Sequence, residues 1–197
     1  MKENKTKYVI LGLLNHEKCS GYNIKKRIDI ALSKFWSAGF GQIYPTLKQL
    51  EAEGLIRHCD SCYDFGPERK IYQITGTGRV ALKKWLEIPV IKEEVRYEIL
   101  LKLFFGAAVD EQVVLGQIAD FRQRNERLLC EVGAMEQQLK SIVHLSRDHQ
   151  YFYLTALFGC KVYQAYLEWA EETENILKQV DFTRSECGEE KGDKEND

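Results

Sequence analysis

Two rhythms of apolar and polar positions run along the chain, a helical one repeated many times and an alternating one that occurs once. From Thr6 to Leu14 the apolar residues Tyr8, Val9, Ile10, Leu11, Leu13 and Leu14 are too dense for one face of a surface helix, which predicts a buried first helix. In "GYNIKKRIDIALSKF" Ile24, Ile28 and Leu32 recur every four residues while Lys25, Lys26 and Arg27 take the solvent side, with Ser20 placed as N-cap. A third helix lies in "GQIYPTLKQLEAEGLI". On a 3.6-residue wheel Ile43, Leu47, Leu50 and Gly54 share one sector, and Gln42, Pro45, Lys48, Gln49 and Ala52 lie opposite. Pro45 is expected in the first turn, where its missing N–H has no intrahelical partner to lose, so this helix should begin close to Gln42 or Tyr44. Gly54 suits a left-handed C-terminus.

The alternating segments are "LIRHC" and "RKIYQI", a β-hairpin with a long tip at residues 60–68. Thr75 caps a fourth helix over "GTGRVALKKWL", with Gly76-Thr77-Gly78 supplying backbone freedom at its start. After Pro89 the pattern lengthens. "EVRYEILLKLFFG" is a helix stopped by Gly106, and Asp110 opens a long segment without proline. Within it Val114, Ile118, Phe121, Asn125, Leu128, Val132, Met135, Leu139 and Ile142 alternate steps of four and three, a heptad seam with Asn125 as its single polar member. A break at His144 to His149 leads into an aromatic-rich helix from Tyr151 to Val180. Such a seam needs a partner longer than the N-terminal unit can provide.

Composition adds a division that the periodicity only hints at. Residues 1–84 carry 15 Lys and Arg against 8 Asp and Glu, whereas residues 85–197 carry 13 against 22, within a formal net charge of −2. A basic first half is a surface for polyanions, and an acidic second half argues against nucleic acid lying along it. The expected layout is therefore a domain over 1–88, a helical domain over 89–182 and a disordered acidic tail over 183–197. Hydrophobic residues make up 44% and charged residues 29% of the 197, and no apolar run approaches the roughly 20 residues of a membrane helix. With Asn15 to Lys18 where a signal cleavage site should be, a cytoplasmic protein without membrane contact is expected. Its six cysteines should then be reduced.

Three short helices, a small β-hairpin and a basic surface describe a winged helix-turn-helix in a mainly α protein. In that arrangement the third helix enters the major groove and the wing approaches the backbone. Gln42 and Gln49 can contact base edges, Lys48 guanine or phosphate, Tyr44 phosphate, and Arg69 and Lys70 neutralise phosphate from the wing. Lys25 and Thr46 complete the set. "ILGLL", "SGYNIKK", "FW" followed by "GQIYPTLKQLEAEGLI", and "GPERKIYQITGTGR" resemble, in order and spacing, the winged-helix domain of the PadR family of bacterial transcriptional regulators. "RYEILLKLFF" resembles the start of that family's longer-type C-terminal domain. The resemblance implies a homodimeric, sequence-specific DNA-binding regulator, usually a repressor released by a small molecule or stress signal, with antiparallel C-terminal helices forming the dimer. It also implies that Tyr22, Gln42, Tyr44 and Lys48 face DNA. Two-fold symmetry would present two reading heads to a pseudo-palindromic operator. The residues expected to dimerise are Ile118, Phe121, Leu128, Val132 and Trp169.

Of the remaining chemistry, the aromatic set Phe35, Trp36, Phe40, Trp85, Phe104, Phe105, Tyr151, Phe152 and Trp169 reads by default as core. Some PadR members respond to phenolic acids or flat hydrophobic drugs, so Trp36, Phe40, Phe105 and Phe152 are the candidates for an effector pocket. In "HCDSC", His58, Cys59 and Cys62 fall one ligand short of a zinc site, and ordinary thiols are the default. A thiol- or metal-responsive sensor through Cys59 and Cys62 and a protein-binding helical scaffold are the competing functions. No nucleophile elbow, phosphate loop or two-histidine metal helix is present in the sequence, and neither an enzyme nor a cofactor or metal is expected.

Overall fold

The dense N-terminal apolar run forms α1 (Thr6–His16), which buries Ile10, Leu11 and Leu14. The computed structural model describes residues 4–59, 70–90 and 95–179, and the chain divides into two compact units, Met1–Glu93 and Glu94–Asp197. In the first unit Cys19–Ser20 forms a short strand, β1, before Ser20 caps α2 (Gly21–Arg27) by accepting a hydrogen bond from the Asn23 N–H at 3.2 Å. The second helix does not run on as one α-helix. At Ile28–Leu32 the chain widens into a π-helical turn that buries Ile28 and leaves Ile30 exposed.

Next comes α3 (Phe40–Ala52), which starts earlier than the sequence suggests because the Gly39 carbonyl accepts from the N–H groups of both Gln42 and Ile43. Pro45 is consequently the sixth residue of the helix, not part of its first turn. An interior proline costs about 3 kcal/mol, since it deletes the bond its N–H would give to Gly41. Two features offset that cost. Gly41 is exposed, so its carbonyl is reachable by water, and Ile43, Leu47 and Leu50 are fully buried, each contributing roughly 1.5–3 kcal/mol. Gly54, at φ 67°, then ends the helix region in the left-handed conformation expected of it.

β2 (Ile56–Cys59) and β3 (Ile71–Ile74) pair antiparallel, with Ile56 opposite Ile74 and Cys59 opposite Ile71. β3 also pairs with β1 on its other edge, so the hairpin belongs to a three-stranded sheet in the order β1-β3-β2. The expected wing tip at 60–68 lies outside the described residues. Thr75 fastens this sheet to α4 (Gly76–Leu86). Its side chain accepts from the Gly78 N–H at 3.0 Å, its hydroxyl lies 2.8 Å from the Gly54 carbonyl, and its own N–H donates to Leu55 at 3.0 Å. Gly78 is needed for space: a Cβ there would fall 2.0 Å from the Leu55 carbonyl oxygen. Backbone freedom is not the reason, because Gly54 is the positive-φ glycine among the described residues.

In the second unit α5 (Glu98–Phe104) and a 3-10 turn at Gly106–Ala108 lead into α6 (Glu111–Ile142) and α7 (Arg147–Gln179). The heptad seam exists, and its partner is α7 of the same chain. Phe121 meets Trp169 edge-on at 5.4 Å and Tyr166 at 5.7 Å, while Val132 lies against Gly159, so the two helices run antiparallel. Of the residues expected to dimerise, Ile118, Phe121 and Val132 are buried inside the protomer, Trp169 packs on the cluster of Ile118 and Phe121, and Leu128 is half-buried. Asn125, buried in the seam, satisfies its amide by donating to the Phe121 carbonyl at 2.7 Å. No described helix is long and apolar enough to cross a membrane.

The Gly78 contact makes a clear prediction. Gly78→Ala should lower unfolding free energy by about 2 kcal/mol or more, because backbone must move, whereas Gly76→Ala, with nothing within 4 Å, should be close to neutral. Chemical denaturation of the two variants checks this.

Candidate nucleic-acid interface

Because Ile43, Thr46, Leu47 and Leu50 are committed to the core, the rest of α3 is presented outward: Gln42, Tyr44, Pro45, Lys48 and Gln49 are all exposed. Thr46 leaves the expected contact set. It is 4% exposed, its hydroxyl donates to the Gln42 carbonyl at 2.7 Å, and it receives a bond from Asn4 Nδ2 at 3.3 Å.

Tyr22, Tyr44, Lys48 and Lys70, drawn from α2, α3 and the edge of β3, line one groove of about 440 Å³ together with Ser20, Gly21, Glu51 and Tyr72. Gly21 makes the groove possible, since a Cβ there would sit 2.8 Å from the Tyr44 ring. The Tyr44 ring also stacks on Phe40 at 6.0 Å. Burial pushes the Tyr72 phenol up from its ordinary pKa, with Glu51 and Tyr44 adding to the effect, so it is a neutral hydroxyl at physiological pH. Two ammonium groups and the phenol hydroxyls give the groove what a phosphodiester needs: charge and hydrogen-bond donors. Glu51 and Tyr72 were not singled out from the sequence. Both fall inside the motifs that carry the PadR resemblance, but neither was among the expected contacts.

The other expected contacts divide. Lys25 pairs with Asp29 and holds its ammonium 5.7 Å over the Phe40 ring, so it is partly spent inside the protein. Arg69 lies outside the described residues. Gln49 is exposed but engaged: its Nε2 donates to Glu53 at 2.7 Å, and the other Glu53 oxygen pairs with Lys7 of α1 at 2.8 Å. A smaller cavity of about 240 Å³ opens between Arg57, Gln73, Thr75 and Arg79, where Arg57 donates to the Gln73 side chain at 3.2 Å.

Residues 10–84 match the Transcriptional regulator PadR-like family, and residues 95–178 match Virulence activator alpha C-term. The negative transcriptional regulator PadR of Bacillus subtilis is 32% identical over 179 residues, which cover 89% of this chain and 97% of that protein. The chain belongs to the PadR-like family. The crystal structure of B. subtilis PadR in complex with operator DNA superposes with a TM-score of 0.78 at 31% identity, covering 87% of this chain and 98% of that one. The same regulator in complex with p-coumaric acid gives a TM-score of 0.73 at 28% identity, with 90% and 99% covered.

Within this PadR-like chain the aromatic residues do not behave as one core. Trp85 stacks on Tyr8 at 4.5 Å and Trp169 packs on α6, but Phe35, Phe40, Phe104, Phe105, Tyr151 and Phe152 are exposed. Of the effector candidates, Trp36 and Phe40 belong to the first unit and Phe105 and Phe152 to the second, and none lines the two cavities above. Cys59 is a free thiol 3.4 Å from the Gln73 side chain, and Cys62 lies outside the described residues. Among the described residues no three metal-ligating side chains come together.

The Glu53 carboxyl is held below its ordinary pKa, first by the hydrogen bond from Lys7 and then by that from Gln49. A depressed folded-state pKa stabilises the fold above the unfolded value and loses that contribution as pH falls through the folded one. NMR titration should therefore find Glu53 below the usual glutamate range, shifted back upward by Lys7→Met and less so by Gln49→Ala.

Proposed function

We propose that this PadR-like protein is a cytoplasmic, homodimeric repressor that binds operator DNA sequence-specifically and acts by binding alone, not by catalysis. The observation that carries the reading is the convergence of Tyr22, Tyr44, Lys48 and Lys70 on one groove beside the exposed face of α3. Gln42 and Gln49 lie on that face and offer amides to base edges, while the tyrosines and lysines hold the phosphates. The described complex of B. subtilis PadR with operator DNA supports it. The winged helix over 1–88 is the reading head in this account, and residues 89–182 form the dimer.

The dimer face follows from what the second unit leaves uncovered. Phe104 of α5 is 82% exposed and Phe158 of α7 is 70% exposed, with Tyr151 and Leu154 on the Phe158 stripe, away from the side turned to α6. A stripe of this kind is costly in a monomer, and a second copy can cover it isologously. A small aromatic effector that releases the repressor is supported by the B. subtilis complex with p-coumaric acid. Trp36, Phe40, Phe105 and Phe152 remain its candidate residues.

Gel shifts against DNA upstream of the protein's own gene test the reading. Binding should weaken steeply with salt, and Lys48→Ala should reduce affinity on every sequence and lower the salt slope by about one. Thr46→Val should leave operator choice unchanged. Wild-type affinity in Lys48→Ala would refute the assignment of the groove. Light scattering tests the dimer: Phe104→Glu with Phe158→Glu should give folded monomers, whereas Val132→Asp should lose helicity because it charges the seam within the protomer.

A further inference from the structure

We propose that Glu53 is a positioning residue that fixes the orientation of the Gln49 amide, so that the reading helix presents a hydrogen-bond acceptor, the Gln49 Oε1, toward the major groove. The inference rests on α3 being the reading helix and adds which kind of base Gln49 prefers.

A glutamine amide carries a donor end and an acceptor end, and a free side chain can turn either one to a base. Gln49 is not free. Its Nε2 donates to Glu53 Oε1 at 2.7 Å, one helical turn on, and a carboxylate can only accept. The amide therefore cannot reverse without setting its carbonyl against the carboxylate. Glu53 is itself held from the other side, because its Oε2 receives Lys7 Nζ of α1 at 2.8 Å. Lys7 is tied to the first turns of α1, which pack on α3 through the shared core of Ile10, Leu11, Ile43 and Leu47. The lowered Glu53 pKa agrees with a carboxylate that stays ionised and acceptor-only at neutral pH.

Directed away from Glu53, the Gln49 oxygen suits bases that offer an exocyclic amino group to the major groove, the N6 of adenine or the N4 of cytosine. It is ill matched to guanine and thymine, whose O6 and O4 would face another oxygen and find as donor only the second Nε2 hydrogen, on the end of the amide anchored to Glu53. Lys48 and Gln42 on the same face carry no comparable restraint through Glu53, so the effect is confined to one operator position.

The test is selection of full-length protein on a randomised operator library. The position read by Gln49 is the one whose preference disappears in Gln49→Ala. In wild type that position should favour adenine or cytosine over guanine and thymine by roughly five- to tenfold. Glu53→Gln, nearly isosteric but able to donate or accept, should flatten the preference there and leave the other positions unchanged. Lys7→Met, which keeps both α3 side chains, should weaken it in the same direction. Wild-type preference in both variants, or a wild-type choice of guanine or thymine at that position, overturns the inference while the DNA-binding function stands. So does a Gln49→Ala variant that changes no position. Failure of wild type to select any sequence overturns both.

Discussion

Ile43, Leu47 and Leu50 of α3 have no exposed surface, and their burial among α1, α2 and the sheet determines how the rest of the first unit is arranged. Three aliphatic side chains removed from water contribute several kcal/mol, enough to keep α3 helical through Pro45. The same burial fixes the rotation of the helix about its axis. Once those residues point inward, Gln42, Tyr44, Lys48 and Gln49 must point outward, so the exposed chemistry is set by the core. Side-chain ties then refine that rotation. Thr46 is bonded to Gln42 and Asn4, and Glu53 reaches Lys7 on α1.

The wing is placed relative to α3 by a second set of contacts centred on Leu55. The Leu55 carbonyl accepts from the Thr75 N–H, and Gly78 lets the first turn of α4 approach that carbonyl more closely than any side chain would allow. Gly21 plays the matching part on the opposite flank, where Tyr44 rests on the start of α2. Of the two close approaches, that of Gly21 and Tyr44 borders the groove, while that of Gly78 and Leu55 sets α4 against the end of the sheet. In the account proposed above, backbone spacing and not side-chain flexibility positions the phosphate-binding hydroxyls.

Much of this was legible where periodicity is strong. The apolar sector of α3, the Ser20 and Thr75 caps, the left-handed Gly54 and the α6 seam all follow from residue type and spacing, and the family resemblance rests on ordered motifs across both units. What was not legible depended on contacts distant in sequence. Periodicity identifies a seam but not its partner, so Ile118, Phe121 and Val132 were read as intermolecular when α7 of the same chain covers them. Thr46 is polar by type, and only its bond to the Gln42 carbonyl makes burial tolerable. A two-residue strand at Cys19–Ser20 has no alternation to detect, and the helix start at Phe40 depends on Gly39 capping geometry. The Gln49 to Glu53 bond is an ordinary i, i+4 pair, and its weight comes from Lys7, 46 residues away.

The central claim is that the outward face of α3 and the groove beside it form the DNA-reading surface. It is tested most directly by amide and side-chain NMR of the protein titrated with its operator duplex. The account predicts that the largest shifts fall on Tyr22, Gln42, Tyr44, Lys48, Gln49 and Lys70, with Thr46 and the α6 seam little changed. Shifts concentrated on α6 and α7, with those six residues unmoved, would contradict it.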